Sequence, residues 1–200
     1  MPRSKEQNEQ IKEERRSQIL TQALRLFASR GLAATKIADI AAAAGVSQGL
    51  IYHYFSSKEE IFTELIRHAY AGINAAARYL EELPAPPAAK IRLAIEGLLR
   101  DTVQNEDTAR FYLLTAQATG SEAIPEEARR IIRQENRLPY EVMARIMRQG
   151  QQDGSVKPHP PEDMALVFWT SISGLAINRA VHGAEFKAPN PEILIHTFLA

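Results

Sequence analysis

Apolar residues recur at helical spacing, three or four positions apart, over most of this chain. The first clear stripe places four apolar side chains on one face: Leu20, Ala23, Leu24 and Phe27. We expect this helix to begin near residue 13 and to end at Gly31, which stands where a left-handed residue stops a helix. Residues 1–12 are charged and polar and have no apolar face, so we expect a mobile tail there.

Residues 35–58 read T-K-I-A-D-I-A-A-A-A-G-V-S-Q-G-L-I-Y-H-Y-F-S-S-K, a pattern that predicts two short helices joined by a tight turn. Thr35 would cap the first helix, Gly45 would end it, and Ser47 would cap the second. The second helix has two faces: a buried one with Ile51 and Phe55, and an exposed one with Gln48, Gly49, Tyr52 and His53. A helix this short needs flanking helices to support it. The arrangement is a helix-turn-helix, a motif that places its second helix in the major groove of DNA.

The rest of the chain is helical in pattern, and no segment alternates as a strand would. Ser57 and Glu60 form a capping-box signature for a helix that runs to about Glu82. After the P-A-P-P break, five further helical patterns follow at residues 88–105, 107–118, 125–151, 161–182 and 190–199. Pro139 should kink or split the third of these. We predict an all-α fold with an N-terminal three-helix domain containing the helix-turn-helix, residues 1–57, and a C-terminal helical bundle, residues 58–200.

The long helix after Ser57 begins beside the helix-turn-helix and ends in the bundle. We expect it to be the one element able to transmit a movement between the two domains. Gly72 lies near its middle and has two interpretations: it softens the helix, or it lets a neighbouring helix approach closely.

Net charge is zero over the whole chain but is unevenly distributed. Residues 1–58 contain nine Lys or Arg against five Asp or Glu, and the remainder contains fifteen against nineteen. This asymmetry is expected when only one end of a protein meets phosphate. The basic excess is modest, so tight binding to nucleic acid would require two copies acting together.

Composition excludes several classes of function. The chain has no cysteine, which removes disulfides, thiolate metal sites and cysteine nucleophiles. Its five histidines lack metal-ligand spacing, so we expect no metal and no cofactor. No apolar run approaches a membrane span and the first residues do not resemble a signal peptide. We therefore expect a soluble, cytoplasmic protein with no membrane partner.

One segment matches an enzyme motif by its letters alone. G-V-S-Q-G, residues 45–49, fits the G-x-S-x-G elbow of serine hydrolases. That elbow requires a buried strand before the serine, whereas an alanine-rich helix precedes Ser47. We interpret Ser47 as a helix cap and expect no enzymatic activity.

The run I-A-x-x-A-G-V-S-x-G-x-I-Y-x-Y-F-x-x-K-E resembles the DNA-binding signature of the TetR family of bacterial transcriptional repressors. The resemblance implies ten DNA-binding positions: Thr35, Lys36, Ser47, Gln48, Gly49, Leu50, Tyr52, His53, Tyr54 and Lys58. Base edges would be read by Gln48, Gly49 and Leu50, with ordinary core packing as the alternative for Leu50. Phosphates would be gripped by Thr35, Tyr52, Tyr54 and Lys58, with Lys36 and His53 as further contacts. The charged tail of residues 1–12 has a second interpretation, as an arm that enters a minor groove.

The resemblance further implies that the bundle holds a small molecule among its middle helices and that occupation moves the long helix beginning at Lys58. The candidate ligand-binding residues are Tyr70, Phe111, Tyr112, Tyr140, Met143, Met147 and Trp169, with Arg110, Arg145 or Asn178 as polar anchors. Plain core packing is the alternative for each of them, because aromatic residues and methionines at helical spacing also occur in ordinary cores.

Residues 164–181, M-A-L-V-F-W-T-S-I-S-G-L-A-I-N-R-A-V, are apolar almost all round, so the helix they form has to be covered on every side. Together with the final helix, they indicate a surface shared between two copies, and the resemblance implies a dimer through the last two long helices. The candidate interface residues are Ile172, Leu175, Ile193, Leu194 and Phe198. A monomer whose core needs both helices is the alternative.

We predict a homodimeric, ligand-responsive transcriptional regulator, acting as a repressor, that binds a palindromic double-stranded DNA operator and is released by a partly apolar small-molecule inducer. An activator, or a DNA-binding protein regulated by a protein partner, is the alternative within the same class. An enzyme or carrier built on the helical bundle is the alternative from another class.

Overall fold

The apolar stripes of the sequence form α-helices in the computed structural model, which describes residues 5–200. Ten helices follow one another in this part of the chain: α1 Lys5–Ala34, α2 Ile37–Ala44, α3 Gln48–Tyr54, α4 Lys58–Glu82, α5 Pro87–Gln104, α6 Glu106–Thr119, α7 Glu126–Glu135, α8 Leu138–Gln152, α9 Pro161–His182 and α10 Pro191–Phe198. A short 3₁₀ turn, Gly183–Glu185, follows α9. Within residues 5–200 no strand forms, and the only β-type pairing is an isolated bridge between Val156 and Leu199. The predicted all-α fold class is confirmed.

α1 begins earlier than the sequence pattern indicates. Residues 5–12, expected to belong to a mobile tail, are helical, and the Gln10 amide donates to the Glu14 carboxylate one turn later, at 3.2 Å. Lys, Glu and Gln are good helix formers, and a helix already nucleated by a buried stripe extends through them at little cost. The prediction of a tail is wrong for residues 5–12, and residues 1–4 lie outside the described residues.

Three helix ends in the head, which we define as α1 to α3, agree with the sequence. Gly31 interrupts α1 with φ 77° and ψ 165°, and Gly45 ends α2 with φ 64° and ψ 33°. Glycine adopts such positive φ values without the strain that a Cβ would introduce. The Ser47 hydroxyl caps α3 by accepting a hydrogen bond from the Leu50 N–H at 3.2 Å.

Thr35 does not cap α2. It is fully buried, and its hydroxyl donates to the Gly31 carbonyl at 2.8 Å. Lys36 is the N-cap residue instead, and its N–H donates to the Asp39 carboxylate at 2.9 Å. The capping prediction for Thr35 is wrong because this side chain satisfies a carbonyl at the C-terminal end of α1.

Ser57 caps α4 as predicted, since its hydroxyl accepts from the Glu60 N–H at 3.2 Å. In a capping box the Glu60 carboxylate would accept a hydrogen bond from the Ser57 N–H, but here it bonds the preceding residue instead. The Glu60 carboxylate accepts from the hydroxyl and the N–H of Ser56, each at 2.6 Å, and these bonds lower the pKa of Glu60. The connection between α3 and α4 is therefore short and held by side-chain hydrogen bonds.

Two apolar cores lie along α4. The first core surrounds the head and extends into α6 and α7: Ile19, Leu24, Phe27, Ile40, Ile51, Phe55, Phe62, Leu65, Leu114, Ala118 and Ile131. The second core joins the other helices of the bundle: Ala77, Ile91, Ile95, Met143, Ile146, Met147, Phe168, Ile172, Ile195 and Phe198. α4 belongs to both cores, because its early residues enter the first and Ala77 enters the second.

α6 also reaches the head. Leu114 and Ala118 are buried in the first core, and the Gln117 amide donates to the Ala28 carbonyl of α1 at 3.2 Å. The expectation that α4 alone connects the head to the bundle is therefore wrong. Two helices, α4 and α6, join them.

The proline predicted to kink or split the third helical pattern of the bundle does separate two helices. α7 ends at Glu135 and α8 begins at Leu138, with Pro139 in its first turn. The Pro139 carbonyl accepts a buried hydrogen bond from the Trp169 indole N–H at 3.0 Å, which ties the start of α8 to α9.

α9 is both long and apolar. The segment Pro161–Glu185 is long and apolar enough, by length and composition, to cross a membrane, with a mean hydropathy of 1.3. The expectation that no run approaches a membrane span is wrong in this respect. The inner face of α9 packs in the second core through Phe168 and Ile172, and a core helix of a soluble protein meets the same criterion.

Gly150 gives a test of packing in the second core. A Cβ at this position would meet Val156 Cγ2 at 2.3 Å and Pro87 Cβ at 3.1 Å. We expect Gly150→Ala to lower the free energy of unfolding by about 1–3 kcal/mol, because the overlap forces neighbouring side chains to shift. Urea unfolding followed by far-UV circular dichroism measures this change.

Gly72→Ala is the matched control. Nothing lies within 4 Å of a Cβ at Gly72, which excludes the close-packing interpretation of this glycine. Replacing a mid-helix glycine by alanine should stabilise by about 0.5–1 kcal/mol. Equal effects of the two substitutions would contradict the packing described for Gly150.

Candidate nucleic-acid interface and ligand cavity

α3 is about two turns long, and core contacts fix its orientation. Ile51 is fully buried, Phe55 is 2% exposed, and the Arg16 guanidinium lies 5.3 Å from the centroid of the Phe55 ring. The opposite face is exposed along its whole length: Gln48, Gly49, Tyr52 and His53. The predicted division of α3 into a buried and an exposed face is confirmed.

Gly49 stands on the exposed face without a structural requirement for glycine. Its φ is not positive, and a Cβ would meet only the Ser47 hydroxyl oxygen, at 3.9 Å, which is ordinary contact. The fold therefore accommodates alanine here. A glycine at such a position is typical of a surface where another molecule approaches the backbone closely.

Leu50 and Tyr54 are half-buried at the edges of this face. The Tyr54 ring packs against the first core and meets the His53 ring edge-on, with centroids 5.3 Å apart. Ser47 is exposed at the start of α3, where its hydroxyl is the cap already described. These three residues flank the exposed face, and their predicted contacts with DNA stay predictions.

Two predicted phosphate contacts are engaged within the protein. Thr35 is 0% exposed, so its side chain cannot meet DNA in this conformation, and that prediction is wrong. The Lys58 ammonium donates to three carbonyls at the C-terminal end of α1: Leu32 at 2.8 Å, Ala33 at 3.2 Å and Thr35 at 2.9 Å. An ammonium has three donors, so in this conformation Lys58 acts as a helix cap and all three donors are occupied within the protein. Lys36, by contrast, is exposed at the start of α2.

A cavity of about 650 Å³ lies in the bundle, bounded by α4, α5, α6, α8 and α9. Its lining is mostly apolar and includes five aromatic rings: Tyr70, Tyr79, Phe111, Tyr112 and Trp169. Polar lining groups gather where α5 passes into α6: Asp101, Asn105, Asp107 and Thr108. This volume and this mixture of many apolar groups with a few polar ones are typical of small-molecule sites.

Five of the ten predicted ligand-binding residues line this cavity: Tyr70, Phe111, Tyr112, Met143 and Trp169. Burial raises the pKa of both the Tyr70 and the Tyr112 hydroxyl, and at Tyr112 the negative charge of Asp101 raises the pKa further. Both phenols therefore stay protonated at neutral pH and keep a hydroxyl group able to donate a hydrogen bond.

The other five predicted residues do not line the cavity. Met147 is fully buried in the second core, and Tyr140 lies beside Trp169 with its side chain 38% exposed to solvent. Asn178 is exposed on α9. Arg110 forms ion pairs with Glu106 at 2.5 Å and with Asp107 at 2.7 Å, so two carboxylates of α6 neutralise its charge. The further polar anchor, Arg145, is paired with Glu81 at 2.6 Å.

Sequence reasoning missed the polar edge of the cavity. Asp101 follows Ala94 and Leu98 on the same face of α5, at i+7 and i+3, and all three line the cavity. A lone carboxylate on an otherwise apolar helical face is a signal that the sequence does contain. The sequence prediction chose mainly aromatic residues and arginines as ligand contacts and did not include this carboxylate.

The predicted dimer residues fall on both sides of the last helices. Ile172 and Phe198 are each 1% exposed, so they belong to the core of one protomer and the interface prediction is wrong for both. Leu175 and Leu194 are half-buried against the second core, whereas Ile193 is 63% exposed. The outer face of α9 exposes other apolar side chains at helical spacing: Leu166, Val167 and Val181.

Comparison with known proteins agrees with this architecture. Residues 19–65, from within α1 to the start of α4, match the family described as bacterial regulatory proteins, tetR family. The HTH-type transcriptional repressor KstR2 of Mycobacterium tuberculosis is 27% identical over 163 residues, which cover 79% of this chain and 80% of that protein. The HTH-type transcriptional regulator AcrR of Shigella flexneri is 35% identical over 95 residues, or 47% of this chain and 44% of that protein.

Solved structures share the fold over nearly the whole chain. The ketosteroid transcriptional regulator KstR2 of Mycobacterium tuberculosis superposes with a TM-score of 0.74 at 22% identity, covering 93% of this chain and 95% of that one. A protein from Saccharomonospora viridis, solved in complex with choline, superposes with a TM-score of 0.71 at 22% identity, covering 94% and 99%.

Regulators of this family are soluble proteins that bind DNA and small molecules, typically as dimers. The glycine-ended α2, the serine-capped α3 and the cavity in the bundle are the parts that such a protein requires. The match over residues 19–65 identifies the N-terminal part of this chain as the DNA-binding domain of the tetR family of bacterial regulatory proteins, whose members are transcriptional regulators and not enzymes.

Proposed function

We propose that this protein is a cytoplasmic homodimeric repressor that binds a roughly palindromic operator and leaves it when a small molecule fills the cavity. The observation that supports this most directly is the exposed face of α3, a two-turn helix whose direction is fixed by the buried side chains Ile51 and Phe55. A short, rigidly held and polar helical face is what a helix-turn-helix protein inserts into the major groove.

Sequence readout is assigned to the N-terminal half of α3. The Gln48 amide could bond adenine bidentately, Leu50 could contact a thymine methyl, and Gly49 lets the backbone approach the bases. Tyr52, His53 and Tyr54 would bind phosphates together with the exposed Lys36, and such contacts fix register rather than sequence. The proposal assigns no phosphate contact to Thr35 or Lys58, because both are engaged within the protein.

Two copies are needed for tight binding because the basic excess of residues 1–58 is small. The outer face of α9, with Leu166, Val167 and Val181, is proposed as the surface that joins them, together with Ile193 of α10. Gly174 is exposed on the same helix with nothing within 4 Å of its Cβ position, so a partner helix can approach there. The two recognition helices would then meet half-sites about one helical turn, roughly 34–36 Å, apart.

We propose that residues 1–57 act as the DNA-binding domain and residues 58–200 as the ligand-binding and dimerisation domain. The cavity of about 650 Å³ is the proposed inducer site. The structural relative from Saccharomonospora viridis, solved in complex with choline, supports the view that this fold takes small molecules. An inducer has to prefer the non-binding conformation by a few kcal/mol, about 5.5 for a complete switch, and α4 and α6 are the helices able to transmit it.

Gly49→Ala tests the proposed groove contact. The fold accommodates the added Cβ, so the free energy of unfolding should stay the same or rise by up to about 1 kcal/mol. Affinity for a duplex from the protein's own upstream region should fall by about tenfold or more, because the Cβ separates the helix from the bases. Fluorescence anisotropy of labelled DNA and urea unfolding measure the two effects.

Gly97→Ala is the control for Gly49→Ala, since it makes the same chemical change on α5, outside the head and outside the two helices that join the head to the bundle, with nothing within 4 Å of its Cβ position. It should leave DNA affinity within about twofold. Unchanged affinity in Gly49→Ala, with DNA binding otherwise specific, would contradict the orientation proposed for α3.

Lys58→Ala and Lys36→Ala form a second test. Loss of the Lys58 ammonium leaves three carbonyls of the α1 terminus without their donor, so the free energy of unfolding should fall by about 1–3 kcal/mol. The slope of log affinity against log salt should not change in that variant. Lys36→Ala should instead leave stability within about 0.5 kcal/mol and reduce the slope by about 1.

The salt slope decides between the two roles of Lys58. A reduction of about 1 in Lys58→Ala would mean that its ammonium leaves the α1 carbonyls for a phosphate when DNA binds. In that case the original phosphate assignment would be restored.

Val181→Asp tests the proposed dimer surface. A carboxylate on this face would be buried without a counter-charge in the dimer, so the dimer dissociation constant should rise by about 100-fold or more. Val103→Asp, on the exposed last turn of α5, is the matched control and should not change it. Analytical ultracentrifugation measures the dissociation constant, and equal behaviour of the two variants would contradict the surface.

A further inference from the structure

The acidic and basic residues that line the cavity are all of one sign. Among the cavity-lining residues, every one of which lies in the described part of the chain, two are aspartates, Asp101 and Asp107, and none is a lysine or arginine. His68 is the sole lining side chain that could become positive, and its ring packs 5.7 Å from that of Phe111. An anionic group brought into this cavity would therefore meet negative charge without a fixed partner.

The two aspartates differ in how their charge is balanced. Asp107 is paired with Arg110 at 2.7 Å and lies 3.9 Å from Arg25 of α1. Asp101 forms no ion pair within residues 5–200. Asp101 is solvent-exposed, and the one hydrogen bond to its carboxylate there comes from the Thr108 hydroxyl at 2.7 Å, so no cationic side chain offsets its charge.

Aromatic rings surround the same region. Tyr112 is near enough to Asp101 for the carboxylate charge to raise the pKa of its hydroxyl, in addition to the effect of burial. Tyr79 and Trp169 also line the cavity. The faces of such rings attract cations, and this attraction is stronger where water is excluded. A carboxylate combined with aromatic rings is a set of groups that can bind an organic cation.

We propose that the cavity selects a partly apolar molecule with a fixed positive charge, whose cationic centre pairs with Asp101 while its apolar part packs against Ile73, Leu98, Met143 and Trp169. This inference rests on the proposed role of the cavity as the inducer site. It specifies the charge of the ligand, which the volume and the apolar lining of the cavity do not determine by themselves.

Trp169 provides a direct readout, because it is the single tryptophan of the chain and lines the cavity. Three probes of equal chain length separate charge from apolar packing: decyltrimethylammonium, decanol and decanoate, each used below its micellar concentration. Titration of the Trp169 emission should give a dissociation constant for the ammonium about tenfold or more below that for decanol, and weaker binding still for decanoate.

Asp101→Asn removes the charge and keeps the shape. It should weaken decyltrimethylammonium binding by about tenfold and change decanol binding by less than about twofold. Asp163→Asn, the same change on an exposed residue of α9 outside the cavity, should alter neither. The inference is overturned if decanoate binds as well as the ammonium, if no probe changes the emission, or if Asp101→Asn leaves the ammonium preference intact.

DNA affinity measured with the same probes separates this inference from the proposed function. Release of DNA by all three probes without charge preference contradicts the role of Asp101 and leaves the inducer site standing. Selective binding of the ammonium with no change in DNA affinity supports the charge selectivity and contradicts the inducer role.

Discussion

Two buried side chains, Ile51 and Phe55, decide where the exposed face of α3 points. A helix of seven residues has little stability of its own, so its direction comes from what it buries. Each of these side chains contributes about 1.5–3 kcal/mol when fully buried. The core that receives them includes Leu114 of α6 and Ile131 of α7 as well as the head. The direction of the recognition helix is therefore set partly by the bundle.

This shared core explains how a cavity in the bundle can influence the head. α6 has two working faces: Phe111, Tyr112 and Thr115 line the cavity, while Leu114 and Ala118 lie in the first core. α4 is divided in the same way along its length. Because packed interiors respond to displacement as rigid bodies, a ligand that shifts the cavity face of either helix also shifts the face that holds α1 to α3. Asp107, in the lining and near Arg25 of α1, places a charge on this path.

Local chemistry in the sequence was sufficient for the helices and most of their ends. Gly45 and Ser47 act within a few residues of themselves, so their roles could be predicted from neighbours alone. Thr35 and Lys58 could not, because their partners are set by the break at Gly31 and by the approach of α4 to the end of α1. α9 is apolar on both faces, so periodicity could not separate core positions such as Ile172 from exposed ones such as Val181. The same limit applied to the cavity, because the set of residues that line it depends on which helices pack against one another.

Because of how charge and apolar surface are distributed, the proposed regulation depends on the distance between the two heads. One head has a small basic excess and a single two-turn helix for the groove, so its contacts alone bind weakly. In the proposed dimer, joining two heads through α9 would convert the second contact into an intramolecular one, and that gain would depend on the separation of the heads. Under this proposal a ligand does not have to touch DNA or any DNA-binding residue to cause release. A change in the packing of α6 and α4 that alters the separation is enough, and its energetic requirement is only the few kcal/mol by which the ligand prefers the altered form.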